Sequence, residues 1–539
     1  MNGKGESDMR IMRVQMISLP NPFRIKRHAL LSLVLFLSAV PAVFAIDVQQ
    51  TGSDEVKQLR KQALKLVRKG DLVEAERFLR RAVEIDPKAT AARVDLAFVL
   101  TKQRRLQEAY DLSFAIAEAE PSNSDAFAVL GAALLNSGNF KEARLMFVNS
   151  IRLNKREALA WAGLGMLDFY ENRIFEGLDR LHEAVYLAPD EPDYWFALAQ
   201  IAARAERYKN AADAYNTFLF LSRNTDDERR ARIKGLINFL RFLGQKKTLY
   251  ETAGEQQTSI SFKLIGNRPI VQIRANDGEE DLKFVLDTGS GITVISDKTA
   301  QKLRMKPITR GGYAKGIGGD GRFEIVYGFL RSVGIGDVKV KNVPVYIRKF
   351  HSDSEGIDGY IGLSLISKFL TTIDYGNLTF SLLKRESEGG TIPAGESISL
   401  PLRLTSSGFL SGEVQLEGIE APLNFIVDTG ASVSVISDSI ASMDKISSMI
   451  RTEKMRVIGA AGVTNNVSSF SLPRVSFGNH SRESITAIAL DLDMINETSG
   501  FEQSGILGGN FLKNYSLTFD FKNSKVIFTP IAQEVPKDD

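Results

Sequence analysis

The chain has no cysteine among its 539 residues, only four histidines and two tryptophans, and a formal charge of just +3. The first absence excludes disulfides, thiol nucleophiles, thiolate zinc sites and lipid attachment through cysteine, and it leaves the redox compartment open. His28, His182, His351 and His480 are scattered, with no HExxH or comparable ligand spacing, so no metal or other cofactor is expected. No G-x-S-x-G elbow is present either. The small charge, part of it carried before residue 30, provides no polyanion-binding surface, and nucleic acid is not expected as a partner. After residue 45 no apolar run is long enough to suggest a membrane span. What remains, 44% hydrophobic and 25% charged, is an ordinary globular balance in a chain too long for one domain.

The N-terminal segment RIKRHALLSLVLFLSAVPAVFA has the order of an export signal. Arg24, Lys26 and Arg27 form a basic flank, Ala29 to Val40 an apolar run, and Val43-Phe44-Ala45 a cleavage pattern. The run falls short of the about 20 residues that a span requires. Cleavage after Ala45 is therefore favoured over an anchor, and contact with a membrane is expected only if the signal is retained. Met16 gives a more usual signal length than Met1.

A period of 34 follows. Ala63, Ala97, Gly131, Gly165 and Ala199 are each 34 apart (97 − 63 = 34), and so are Ala75, Ala109, Ala143, Gly177 and Ala211. Leu96, Leu130, Leu164 and Leu198 keep the step, as do Phe127, Trp161 and Trp195, while Pro87, Pro121 and Pro189 close the units. Small residues let two helices approach, large ones fill between them, and proline stops the second helix. The pattern resembles the tetratricopeptide repeat, in about five copies over residues 54 to 223, with Lys155 standing where one terminal proline would fall. Such units stack into a superhelix with a groove. The groove is expected to bind a peptide or protein partner, the alternative being a spacer. A last amphipathic segment, Asp226 to Phe242, is expected to cap the stack, and the two tryptophans occupy packing positions.

Beyond ETAGEQQT at 251 to 258 the texture changes to short alternating runs, ISFKLI, IVQIRA and LKFVLD, and it returns after the linker ESEGGTIPAGES at 386 to 397. Two β-rich halves are expected. FVLDTGSGITVIS at 284 to 296 recurs as FIVDTGASVSVIS at 425 to 437 (428 − 287 = 141), and DGYIGLSLISKFLTTIDY at 358 to 375 recurs as SGILGGNFLKNYSLTFDF at 504 to 521. Three buried residues before each Asp-Thr-Gly hold a carboxylate at the end of a rigid strand, and the glycine permits close approach of another loop. If the copies face each other, Asp287 and Asp428 share one proton. One member then takes a proton from water while the other donates to an amide carbonyl.

At these residues the chain resembles the aspartic proteases, specifically the retropepsin-like domain, over residues 260 to 530. The resemblance implies a multidomain protein: an all-α tetratricopeptide solenoid followed by two all-β retropepsin-like domains forming a pseudo-dimer. The expected divisions are 1–45 for the signal, 54–250 for the solenoid and its cap, and 258–385 and 398–533 for the two protease domains. It implies Asp287 and Asp428 as the catalytic pair, Thr288 and Thr429 as the threonines that lock the loops, and Gly289 and Gly430 as their glycines. Ile361-Gly362 and Leu507-Gly508 are implied to pack behind them. Glycine-bearing flaps are implied at KGIGGDG, 315 to 321, and IGAAG, 458 to 462. The copies differ after the glycine, where Ser290 stands in one and Ala431 in the other. A hydroxyl beside Asp287 favours its carboxylate form and leaves the proton to Asp428.

The function implied is an exported, periplasmic endopeptidase acting on protein or peptide substrates. Two alternatives stay open: a peptidase in which each half pairs with its twin in a second chain, and a non-catalytic peptide-binding adaptor. GIGGDG fits G-x-G-x-x-G, but the strand-like RFEIVYGFL after it argues against a dinucleotide site. Asp374 and Asp520 recur between the halves and are expected to be structural acceptors.

Overall fold

The computed structural model describes residues 43–224, 226–246, 248–351, 356–384 and 397–531. The expected signal, up to residue 42, and nearly all of the 386–397 linker lie outside the described residues. Among the described residues no helix is long and apolar enough to cross a membrane.

Eleven helices, from Val43–Lys69 to Asp227–Leu243, form the solenoid. The small residues of the 34-residue period lie where helix backbones meet. A β-carbon on Gly177 would come within 2.8 Å of Gly165 O, so the helices Ala158–Tyr170 and Ile174–Leu187 approach more closely there than alanine would permit. The tryptophans are half-buried against the helical core, and their indole N–H groups donate to Lys155 O at 2.9 Å and Pro189 O at 2.8 Å. Lys155 thus serves the same cap as the proline it replaces. Gly70, Arg104, Gly138, Asn172 and Glu206, again 34 apart (104 − 70 = 34), all have positive φ in the turn inside each helix pair.

The β-rich half contains three sheets. In the first, strand Leu282–Leu286 runs parallel to Gly359–Ile361, with Phe284 opposite Gly359 and Leu286 opposite Ile361. In the second, Leu423–Val427 runs parallel to Gly505–Leu507 in the same register, with Phe425 opposite Gly505 and Val427 opposite Leu507. The third has six strands, in the order Ile398–Pro401, Lys525–Pro530, Tyr515–Asp520, Phe369–Asp374, Thr379–Lys384 and Gln257–Ser261. It draws three strands from each half. Its central seam pairs Leu370 with Asp520 and Asp374 with Ser516, and the Thr372 and Thr518 hydroxyls meet across it at 2.9 Å. The two halves of one chain therefore pair with each other. Asp374 accepts from the backbone N–H of Gly376 and Asn377, and Asp520 from that of Asn523, each closing a tight turn.

One stretch differs from expectation, and the last helix lies where expected but carries a second contact. The polar stretch after the solenoid contains strands: Glu251–Gly254 pairs along the edge of the first sheet with Val338–Lys341, and Gln257–Ser261 begins the next. Glu251–Gly254 has no fully buried side chain, and the inward positions of Gln257–Ser261 alternate but begin with the polar Thr258, so polarity does not mark the strand. The last helix runs Asp227–Leu243, with Asp226 as its N-cap accepting from Arg229 N at 2.7 Å. Its outer side faces the first β domain, where Phe239 stacks on Tyr327 at 4.4 Å.

The solenoid docks by its edge. Of the left-handed turns, Asn172 donates to Phe521 O, Glu206 pairs with Lys368, and Gly138 abuts Asn424. Phe501, from the second β half, is fully buried between Phe140 and Tyr170 of the solenoid at 4.8 and 5.1 Å.

Candidate active site

The strands ending at Leu286 and Val427 are buried on both faces, so each delivers the next residue to a fixed point. Asp287 N donates to Ile361 O and Asp428 N to Leu507 O, both at 3.0 Å, which ties each aspartate to the strand behind it. Gly362 and Gly508 begin the turns that follow. A β-carbon on Gly362 would sit 2.6 Å from Ile292 O, and one on Gly508 would sit 2.7 Å from Val433 O.

The two loops clasp each other. Thr288 Oγ1 donates to Val427 O at 2.6 Å and accepts from Thr429 N at 3.1 Å, while Thr429 Oγ1 donates to Leu286 O at 2.7 Å and accepts from Thr288 N at 3.2 Å. Both threonines are completely buried. The clasp brings the carboxyls of Asp287 and Asp428 together, so that a β-carbon on Gly430 would touch both, Asp287 Oδ1 at 2.7 Å and Asp428 Oδ1 at 3.1 Å. Each carboxylate accepts from its own glycine, Gly289 N to Asp287 Oδ1 at 2.9 Å and Gly430 N to Asp428 Oδ1 at 2.7 Å. Each also covers the other's glycine: a β-carbon on Gly289 would lie 2.5 Å from Asp428 Oδ2, and one on Gly430 would lie 2.7 Å from Asp287 Oδ1. Only glycine fits at either place.

The pair is electrically uneven. Ser290 Oγ donates to Asp287 Oδ2 at 2.7 Å, and Ala431 offers no counterpart. Burial raises the Asp287 carboxyl above its ordinary value, opposed by Ser290, by the bond with Asp428, by Gly289 N–H and by the Arg348 cation. Burial, followed by the charge of Asp287, drives the Asp428 carboxyl well above its ordinary value. The Ser290 hydroxyl, present on one side only, favours the charge on Asp287 and the proton on Asp428.

Both glycine-bearing segments form hairpin tips, one between Thr309–Lys315 and Arg322–Ile335 and the other between Ile450–Ile458 and Val463–Phe477. The tips meet. Ala461 N donates to Ile317 O at 2.9 Å, and a β-carbon on Gly319 would strike Ala461 O at 2.6 Å. Ile317 packs on the same apolar cluster as Ala431, which places the first tip beside the Asp428 loop.

Arg348, at the end of strand Val338–Arg348, was not foreseen. Its guanidinium lies 5.3 Å from the ring of Phe323, in the first hairpin, and 5.5 Å from that of Phe350, and burial lowers its own pKa. A lone arginine at a strand end carries no signal in sequence. Nor was a cavity of about 1690 Å³ between the solenoid and the β domains, which Arg204, Arg232, Tyr327 and Ser407 line together with Gly291 and Ile292 from the Asp287 loop.

Residues 271–365 and 412–511 match the family model described as aspartyl protease, and residues 66–113 match that of the tetratricopeptide repeat. The β-rich half carries aspartyl protease domains. All the residues expected to support the pair, Thr288 to Ser290, Thr429 to Ala431, Ile361-Gly362 and Leu507-Gly508, lie within the two aspartyl protease segments. No curated protein matches the chain. Among solved structures it is similar to the aspartic proteinase of Irpex lacteus, at 13% identity over 52% of this chain and 100% of that one, with a TM-score of 0.37. It is similar also to a tetratricopeptide protein of Thermus thermophilus, at 19% identity over 34% of this chain and 98% of that one, TM-score 0.30. A third is PilF of Pseudomonas aeruginosa, at 17% identity over 36% and 86%, TM-score 0.28.

Proposed function

We propose that the chain is an exported aspartic endopeptidase that hydrolyses peptide bonds with a water activated between Asp287 and Asp428. The observation that carries this reading is the mutual fit of the two loops, in which each carboxylate covers the other's glycine. Such an arrangement keeps two acids in contact despite their repulsion, which a fold serving binding alone does not require.

Asp287, the charged member, accepts a proton from the water as its oxygen attacks the carbonyl carbon. Asp428 gives its proton to the carbonyl oxygen. The tetrahedral species is a neutral gem-diol; as it collapses Asp428 takes back one hydroxyl proton and Asp287 passes its own proton to the departing amine, so the pair ends with the single proton it began with. No metal and no covalent adduct enters the scheme. The hairpin tips shut bulk water away from the pair, which strengthens every charge interaction beneath them.

The solenoid binds substrate or a partner in this reading, and the cavity beside Gly291 and Ile292 supports it, since a substrate segment leaving the cleft would enter that space. Export rests on the basic flank and apolar run before Ala45, and the periplasm is the compartment proposed.

The test is cleavage of a randomised peptide library from about pH 3 to about pH 8, beside Asp287→Asn and Asp428→Asn, each of which should lower turnover about a thousandfold. A folded parent inert throughout that range leaves an adaptor. Activity that vanishes on dilution favours a site shared between chains.

A further inference from the structure

The two hairpins that meet over the aspartates are supported very differently. The first lies along the last helix of the solenoid. Gly235 has no room for a side chain, since a β-carbon there would stand 2.5 Å from Arg310 O, so helix backbone touches strand backbone. Beyond that contact the ladder between the hairpin's strands slips register between Arg310 and Tyr313, and Gly312 adopts φ +68°. The bulge turns the strand against the helix. Arg232 donates to Tyr313 O at 3.4 Å, and Arg322, at the start of the returning strand, pairs with Glu228 at 2.8 Å. Further down, Phe239 stacks on the buried Tyr327 at 4.4 Å and Phe242 meets Phe329 edge-on at 5.5 Å. Both strands are thus held along their length.

The second hairpin has no such support. Its outer strand, Ile450–Ile458, shows exposed or half-exposed side chains at every position, with Ile450 53% and Ile458 46% exposed. Among the described residues its hydrogen bonds run to its own sheet, through Arg451 to Thr486 and Lys454 to Ser468. Beyond that sheet the hairpin meets the first at the glycine-rich tip, through backbone contacts and through Ile317, which packs on the same apolar cluster as Met455, Val457 and Val467.

We infer that helix Asp227–Leu243 is a positioning element of the cleft, holding the first hairpin as a fixed wall so that the second alone swings to admit and release substrate. The inference rests on the peptidase reading for its purpose, though not for its mechanics. Lifting the first hairpin would break an aromatic stack, an ion pair and a backbone contact with the helix together. Lifting the second parts the tips and draws Met455, Val457 and Val467 off one apolar cluster, with no hydrogen bond or ion pair to the solenoid to break among the described residues. A fixed first hairpin also keeps the shape of the cavity that Tyr327 and Arg232 line. The solenoid is then part of the cleft.

The mechanics are read by amide hydrogen exchange on the full chain. Residues 310–315 and 322–330 should exchange at least about tenfold more slowly than 450–458 and 463–470. Equal protection overturns the inference whether or not the protein is a peptidase. Phe239→Ala should erase the difference and Phe239→Leu restore it.

The purpose is read by a cross-link. Ala231 Cβ lies 3.7 Å from where a β-carbon on Gly312 would stand, within the about 3.5–4.5 Å that a disulfide spans. The chain has no other cysteine, so within one chain Ala231→Cys/Gly312→Cys can form only this bond. The reduced form of the same variant serves as reference for any strain at residue 312. Oxidation should leave kcat/KM within about twofold, and a loss beyond about tenfold that reduction reverses would overturn the inference. If neither form cleaves while the parent does, exchange decides alone; if the parent is inert too, the peptidase reading fails and the exchange result still stands.

Discussion

Ser290 donates to Asp287 at 2.7 Å, and the matching residue beyond Asp428 is Ala431, which cannot donate from its side chain. One hydroxyl, with the Arg348 cation beyond it, thus biases the charge toward Asp287. Ser290→Ala removes a donor that favours the ionised form of Asp287, so its pKa should rise and the acid limb of kcat/KM against pH should move up by about one unit. Ala431→Ser should instead stabilise ionised Asp428 and draw the alkaline limb down. Limbs that stay put in Ser290→Ala would show that the hydroxyl does not set the asymmetry.

Asp428 also costs the fold stability. Burial and the neighbouring charge raise its carboxyl well above 3.8. A carboxyl whose folded pKa exceeds its unfolded one contributes fully below the unfolded value and loses that contribution as pH rises through the folded value. Asp428→Asn escapes the loss. Its urea midpoint should exceed that of the parent at pH 7 and the advantage should shrink toward about pH 4; a gap of the same size at both pH values would contradict the assignment.

The threonine clasp should be a large stabilising element. Thr288→Val deletes a hydroxyl that both donates to Val427 O and accepts from Thr429 N in a completely buried place. Leaving both partners unmatched should cost about 2–4 kcal/mol. Thr288→Ser keeps the hydroxyl and should cost about 1 kcal/mol, for the lost methyl group alone. Urea unfolding followed by circular dichroism checks both.

Phe501 is the anchor between solenoid and protease. Truncation to alanine empties a site lined by Phe140 and Tyr170 and should cost about 3–5 kcal/mol. Both tryptophans, Trp161 and Trp195, lie in the solenoid. Indole fluorescence therefore follows the solenoid alone, and in Phe501→Ala its transition should separate from the sheet signal in circular dichroism. Coincident transitions would mean that other contacts carry the coupling.

The legible parts of this protein were those with a period or a repeat. Alanine and glycine every 34 residues marked the helix pairs because each pair meets the same packing demand. The doubled Asp-Thr-Gly marked the loops because a close approach tolerates few residues. The third sheet was not legible, since pairing Leu370 with Asp520 across two halves leaves no local mark. Neither was the docking edge, although its residues follow the same step: Asn136, Tyr170 and Arg204 each end the first helix of successive pairs (170 − 136 = 34), and all three bond to the β half. Their side chains share no chemistry, and a period of position without a period of type is hard to notice. Gly235, the only glycine within the helix Asp227–Leu243, is the one local sign of that helix's close approach to a strand.

The seam between Phe369–Asp374 and Tyr515–Asp520 has one more consequence. A catalytic pair built from two identical chains must be symmetric, and it disassembles when the chains drift apart. Joined in one polypeptide, the halves stay together at any dilution and each can change without the other. A hydroxyl gained in one half, or a helix laid against one hairpin, need not be copied in the other.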